Sequence, residues 1–120
     1  RAVEELPEVM DSLVVDLEML GRDSFMPLFV VMRDGHPLDE AARGRILDAI
    51  RRAVSARYLP DEVVEVAEIP RTLSGKKLEV PVKKLLLGAA PEKAANRDSM
   101  ANPDAFEAFI AYADARAAAV

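Results

Sequence analysis

Residues 68–88 read EIPRTLSGKKLEVPVKKLLLG, and there the chain concentrates its cations. From Arg71 to Leu86 stand Arg71, Lys76, Lys77, Lys83 and Lys84 against one acid, Glu79. That is a local charge of +4 in a chain whose formal net charge is -5. A basic island on an acidic protein faces something negative: a phosphate, a carboxylate or an acidic partner. A P-loop is excluded by counting. It needs glycine five positions before its Gly-Lys pair and Ser or Thr directly after it, and here Pro70 and Lys77 hold those places. What remains is Lys76 at the tip of a turn. Gly75 frees the backbone there, Ser74 can bond the turn locally, and Pro70 fixes the entry angle. A lysine held this way is a movable point charge within reach of anionic oxygens. The plainer alternative is a solvated basic loop.

Few other side chains offer chemistry. There is no cysteine, which removes disulfides, thiolate metal sites and cysteine nucleophiles. His36 is the one histidine and sits in DGHPLD, so it reads as a turn residue and cannot form a multi-histidine metal site. Net acidity argues against a nucleic-acid binder, which is basic over a whole face. No apolar run approaches the ~18 residues of a membrane span, and the first residues carry no signal-peptide pattern. A cytoplasmic protein without membrane or nucleic-acid partners is the expectation. The chain opens on RAVEELPEVM with a helical pattern already under way, which reads as a cut from a longer polypeptide.

Several elements must position the loop. Residues 1–6 read as a short helix stopped by Pro7. In 11–20, Leu13, Val15, Leu17 and Met19 face one way and Asp16 and Glu18 the other, which predicts a strand with one solvated face. Residues 25–33 are almost wholly apolar from Leu28 to Met32 and predict a strand covered on both faces, with Pro27 near its start or where no ladder bond is needed. Met19, Met26 and Met32 fall in these strands and read as core filling. Asp39 is a candidate N-cap for a helix to about Arg57, with Ile46, Leu47, Ile50 and Val54 as its buried stripe and Asp48 placed to pair with Arg51 or Arg52. A third strand is expected at 63–69, then a short helix from Leu78 or Glu79 with Pro81 in its first turn. Residues 88–102 have no periodicity and read as a linker, and 103–118 as a helix carrying Phe106, Phe109, Ile110 and Tyr112. The expected fold is α+β: two layers, a small three-stranded sheet with helices packed on one side, and a C-terminal helix on a linker. The expected domains are 1–88 and an extension, 89–120.

The run Pro-Arg-Thr-Leu-Ser-Gly-Lys at 70–76 resembles the last conserved motif of the adenylate-forming superfamily: acyl-CoA synthetases, luciferases and peptide-synthetase adenylation domains. The likeness extends along the chain. RAVEELPEVMDSLVV looks like the helix-turn-strand of the superfamily's C-terminal lid, and the helix at 39–57 and strand at 63–69 fall where that lid has them. KKLEVPVKKLLLG and NRDSMANPDAFEAF look like the acetoacetate–CoA ligase branch, whose members are long and carry a C-terminal extension.

The resemblance implies a mobile C-terminal domain working with its own N-terminal adenylation domain. Such enzymes use ATP to convert a carboxylate, here acetoacetate, to an acyl-adenylate with release of pyrophosphate, and then transfer the acyl group to CoA. Mg2+ comes with ATP and is held by the N-terminal domain. Lys76 falls on the lysine that engages carboxylate and phosphate oxygens during adenylation, and Thr72, Ser74 and Gly75 shape its loop. The lid then rotates, withdraws the lysine and serves thioester formation. Arg51 falls on an arginine that binds the CoA nucleotide phosphate, or it only pairs with Asp48. Lys77, Lys83 and Lys84 raise the local potential or are plain surface charges. In related synthetases the lysine matching Lys76 is acetylated, which makes a lysine acetyltransferase and a deacetylase candidate partners. The phosphate loop and the acyl pocket lie outside this sequence, so the isolated domain is expected to be inactive. The alternatives are a lid from another acyl-CoA synthetase or adenylation enzyme, and a stand-alone binding module with a basic loop.

Overall fold

The computed structural model describes residues 3–17, 25–54 and 59–119. Strand β1 spans Val9–Val14, β2 Pro27–Met32 and β3 Glu62–Glu65, in the order β1-β2-β3. β1 and β2 are antiparallel; β2 and β3 are parallel, joined through helix α1, Glu40–Ala53. All six residues of β2 are buried, as its apolar run predicts for a central strand covered on both faces, and Pro27 is its first residue. Among the described residues no helix is long and apolar enough to cross a membrane.

Alternation along β2 divides the core. Leu28, Val30 and Met32 pack with Val3, Val9, Val63 and the α1 residues Ala42, Ile46 and Ile50. Phe29 and Val31 belong to the other face, with Leu13, Val15, Leu17, Val66 and Ile69. That face is covered by α2, Glu79–Leu86, through Val82, Leu85 and Leu86, and by α4, Phe106–Ala119, through Phe106 and Phe109. The α+β class and the small three-stranded sheet are as expected, but helices pack on both faces of the sheet and not on one: α1 covers the first, α2 and the C-terminal helix the second, because β2 is apolar on both sides. The apolar residues of α4 recur at 106, 109, 110 and 113, the spacing of one helical stripe. The Phe29 ring lies 4.6 Å from that of Phe109 and 5.1 Å from that of Tyr112.

The capping expectation holds: Asp39 accepts a 2.8 Å hydrogen bond from the Ala42 N–H, and Asp48 pairs with Arg51 at 2.8 Å. Three local readings are corrected. β1 begins at Val9 and ends at Val14, with a register break between Val9 and Asp11. The extra residue there, Met10, turns the odd-numbered residues after it to the opposite face, so Val9 packs towards α1 while Leu13 packs towards α2 and α4. Val54 is not in the buried stripe, because it follows the last helical turn and is 58% exposed. Strand β3 stops at Glu65, although Val66 still donates to the Val30 carbonyl. The expected end of α1 near Arg57, the loop at 21–24 and Met19 lie outside the described residues.

Residues 88–102 also differ from the expected linker. They carry a short helix α3, Pro91–Ala94, and a 3-10 turn at Arg97–Ser99, and bury Ala94 and Met100 in the main core. Their order comes from backbone hydrogen bonds, from side-chain bonds of Asn96, Ser99 and Asn102, and from burial of Ala94 and Met100, none of which leaves a periodic pattern in a sequence.

Candidate functional site

The loop after β3 is a hairpin. Arg71 and Lys77 pair across it as an antiparallel bridge, and Leu78 N–H bonds the Pro70 carbonyl at 3.0 Å. Thr72 holds the tip from both sides: its N–H donates to the Lys76 carbonyl at 2.8 Å and its hydroxyl accepts from the Lys76 N–H at 3.1 Å. The Ser74 hydroxyl lies 3.0 Å from that of Thr72, and Gly75 N–H closes the turn on the Thr72 carbonyl. Gly75 has φ +91°, a conformation open to glycine and costly for other residues. Thr72, Ser74 and Gly75 carry the hydrogen bonds and the backbone conformation of the turn. Lys76 sits at its tip with its backbone fixed and its side chain exposed.

The cations of the basic island separate into two kinds. The Arg71 guanidinium pairs with Asp11 and donates to the Gly75 carbonyl at 2.9 Å, linking β1 to the hairpin tip. Lys77 Nζ lies 2.8 Å from Glu4, 3.4 Å from Asp11 and 2.6 Å from the Ser12 carbonyl. Among the described residues, Lys76, Lys83 and Lys84 have no ion-pair partner. The two half-buried flanking cations thus serve the fold and leave Lys76 with its charge uncommitted. Lys77, expected to raise the local potential or to be a plain surface charge, is a tether. Asp11 reaches Arg71 because the register break sets it opposite Val31, on the face that carries the hairpin.

Burial alone raises the Glu4 carboxyl. Hydrogen bonds from Lys77 and Ser12, with the Lys77 charge, outweigh it and hold the group below 4.5. A carboxylate lowered in the folded state contributes stability that is present above its unfolded value and lost as pH falls through the folded one. The Glu4→Gln variant is therefore expected to unfold earlier than the parent chain in urea at pH 7. The gap between their midpoints should close as pH is lowered below about 4.5. A gap that stays constant down to pH 3 would show the carboxylate to be uncoupled from folding.

Arg51 lies on the outer face of α1, half exposed and paired with an equally exposed Asp48. Such a pair holds weakly in water and leaves the guanidinium available. The hairpin's hydrogen bonds do not involve Arg51. His36 is an exposed turn residue whose N–H bonds the Arg33 carbonyl.

Sequence reasoning missed Asn102. Its Oδ1 accepts from the Arg71 N–H at 2.9 Å, and its Nδ2 donates to the Ile69 carbonyl at 2.9 Å and to Glu68 at 3.2 Å. The signal available was an Asn-Pro pair at the start of a helix, which reads as an ordinary cap.

No family model matches the chain. Among curated proteins, an acetoacetyl-CoA synthetase of Caenorhabditis elegans is 36% identical over 111 residues, 92% of this chain and 15% of that protein. Among solved structures, the acetoacetyl-CoA synthetase of Streptomyces lividans matches at TM-score 0.88 and 46% identity, over 96% of this chain and 17% of that one. An acyl-CoA synthetase of Brucella canis matches at TM-score 0.56 and 26% identity, over 63% of this chain and 14% of that one. The chain thus spans about one-sixth of the length of the acetoacetyl-CoA synthetases it matches. Sequence and fold agree in one assignment: the chain belongs to the C-terminal domains of the adenylate-forming enzymes, and its likeness among them is to acetoacetyl-CoA synthetase.

Proposed function

We propose that this chain is the mobile C-terminal domain of a cytoplasmic, ATP-dependent acetoacetate–CoA ligase, and that Lys76 is its adenylation lysine. The observation that carries the reading is the state of Lys76. Thr72 clamps its backbone on both sides, its side chain is exposed, and its flanking cations are neutralised by Asp11 and Glu4. During adenylation a carboxylate oxygen attacks the α-phosphorus of ATP, two anionic groups converge, and pyrophosphate departs. A preplaced ammonium offsets the charge that builds up and orients the carboxylate for attack. ATP with its Mg2+ and the acetoacetate pocket belong to the N-terminal adenylation domain. Rotation of the lid would then remove Lys76 and open the site to CoA.

The test is acetoacetate-dependent pyrophosphate exchange by the full-length enzyme with and without Lys76→Ala, in which the variant should lose exchange. Arg51 is the CoA contact in this reading, since a guanidinium makes bidentate bonds to phosphate. Arg51→Ala is expected to raise the KM for CoA about 10-fold, the size of one charge-assisted hydrogen bond, with exchange unchanged. An unaltered KM would reduce Arg51 to the surface partner of Asp48.

A further inference from the structure

Residues 99–102 are joined to the lysine hairpin along its outer edge. Ala101 N–H donates to the Arg71 carbonyl at 2.9 Å, Leu73 N–H donates to the Ser99 carbonyl at 3.2 Å, and Thr72 and Met100 pair as an antiparallel bridge. The arm Arg71–Leu73 therefore lies between two neighbours, the returning arm of its own hairpin and this later segment. Met100 is 4% exposed and anchors the segment in the core.

Asn102 completes the joint at a cost to its own helix. It occupies the cap of the helical turn Pro103–Ala105, yet its side chain makes no capping bond. Both of its polar atoms turn instead to the hairpin base, bonding the Ile69 carbonyl and the Arg71 N–H on either side of Pro70. Proline has no N–H and leaves a gap there in the backbone's own bonding. Arg71 is thus held at its N–H by Asn102, at its carbonyl by Ala101, and at its guanidinium by Asp11 and Gly75. Thr72, which fixes the Lys76 backbone, is the next residue and is bridged to Met100.

We propose that residues 99–102 are a positioning element for Lys76, with Asn102 as the residue that locks the base of its hairpin. The proposal rests on the reading of Lys76 as the adenylation lysine. A charge-stabilising group must sit close to its productive place, since a misplacement of about 1 Å can cost 10²-fold in rate. The segment reaches no substrate in this account and acts only through the hairpin.

The experiment uses the full-length enzyme as Asn102→Ala, Lys76→Ala and the double variant. Pyrophosphate exchange and thioester formation from pre-made acetoacetyl-adenylate are measured on each. Asn102→Ala is expected to lower the kcat of exchange about 10-fold, with the KM for ATP and thioester formation unchanged. It should add nothing to Lys76→Ala, because the two act in series. Equal losses in both half-reactions, or a further 10-fold loss in the double variant, would reveal a merely structural role and overturn the proposal. Lost exchange in Lys76→Ala beside normal exchange in Asn102→Ala also overturns it, and leaves the role of the lysine standing. Retained exchange in Lys76→Ala removes both. If Asn102→Ala does not fold, Asn102→Ser, which keeps a small polar side chain, is judged by the same outcomes.

Discussion

Replacing Lys76 by alanine in the full-length enzyme is expected to lower acetoacetate-dependent pyrophosphate exchange by about 10²–10³-fold, the usual loss when one preorganised charge-stabilising group is removed. The effect should lie in the chemistry and not in the fold. Lys76 is exposed, and among the described residues its side chain pairs with no acid, so its removal leaves no buried partner unsatisfied. Exposed substitutions of that kind change stability by no more than about 0.5 kcal/mol. Lys76→Arg separates charge from shape: a planar guanidinium keeps the charge but not the compact ammonium. Partial recovery of exchange in that variant is the expected result. Equal exchange in wild type and Lys76→Ala would reduce the hairpin to a solvated turn.

The largest effect on stability is expected at Phe29. It is fully buried at the centre of the middle strand and meets Phe109 and Tyr112 of α4. Phe29→Ala removes a ring from a close-packed interior and leaves a cavity, a change that costs about 3–5 kcal/mol. Because the same ring seats α4, the loss should appear as a lower urea midpoint together with a loosened C-terminal helix, seen as faster amide exchange between residues 106 and 116. An unfolding free energy within about 0.5 kcal/mol of the parent's would mean that α4 does not cover this face in solution.

Much of this arrangement was legible in the residues. An unbroken apolar run marks β2, because a strand covered on both faces needs no alternation. Asp39 announces α1, because the cap is a local bond between neighbours. The turn that carries Lys76 could be read from Pro70, Gly75 and the polar residues between them, since turn chemistry is also local, while the pairing of Arg71 with Lys77 across it came only with the structure. What stayed hidden depends on contacts across the chain. The extra residue at Met10 is set by pairing with β2, and nothing in MDS betrays it. By sequence Arg71 and Lys77 belong to the basic island, and only the fold brings Asp11 and Glu4, about sixty to seventy residues earlier, beside them. Residues 99–102 are joined mainly by backbone groups, which every residue carries alike, so a segment with no periodicity reads as a linker.

The most direct test of the central claim supplies pre-made acetoacetyl-adenylate and CoA to the Lys76→Ala enzyme and measures the single-turnover rate of thioester formation. If Lys76 serves only adenylation, that rate stays within about threefold of wild type, a difference of under 1 kcal/mol in barrier, while pyrophosphate exchange is lost. Loss of thioester formation to the same depth as exchange would contradict the account, because a lysine withdrawn by rotation of the lid has no part in the second step.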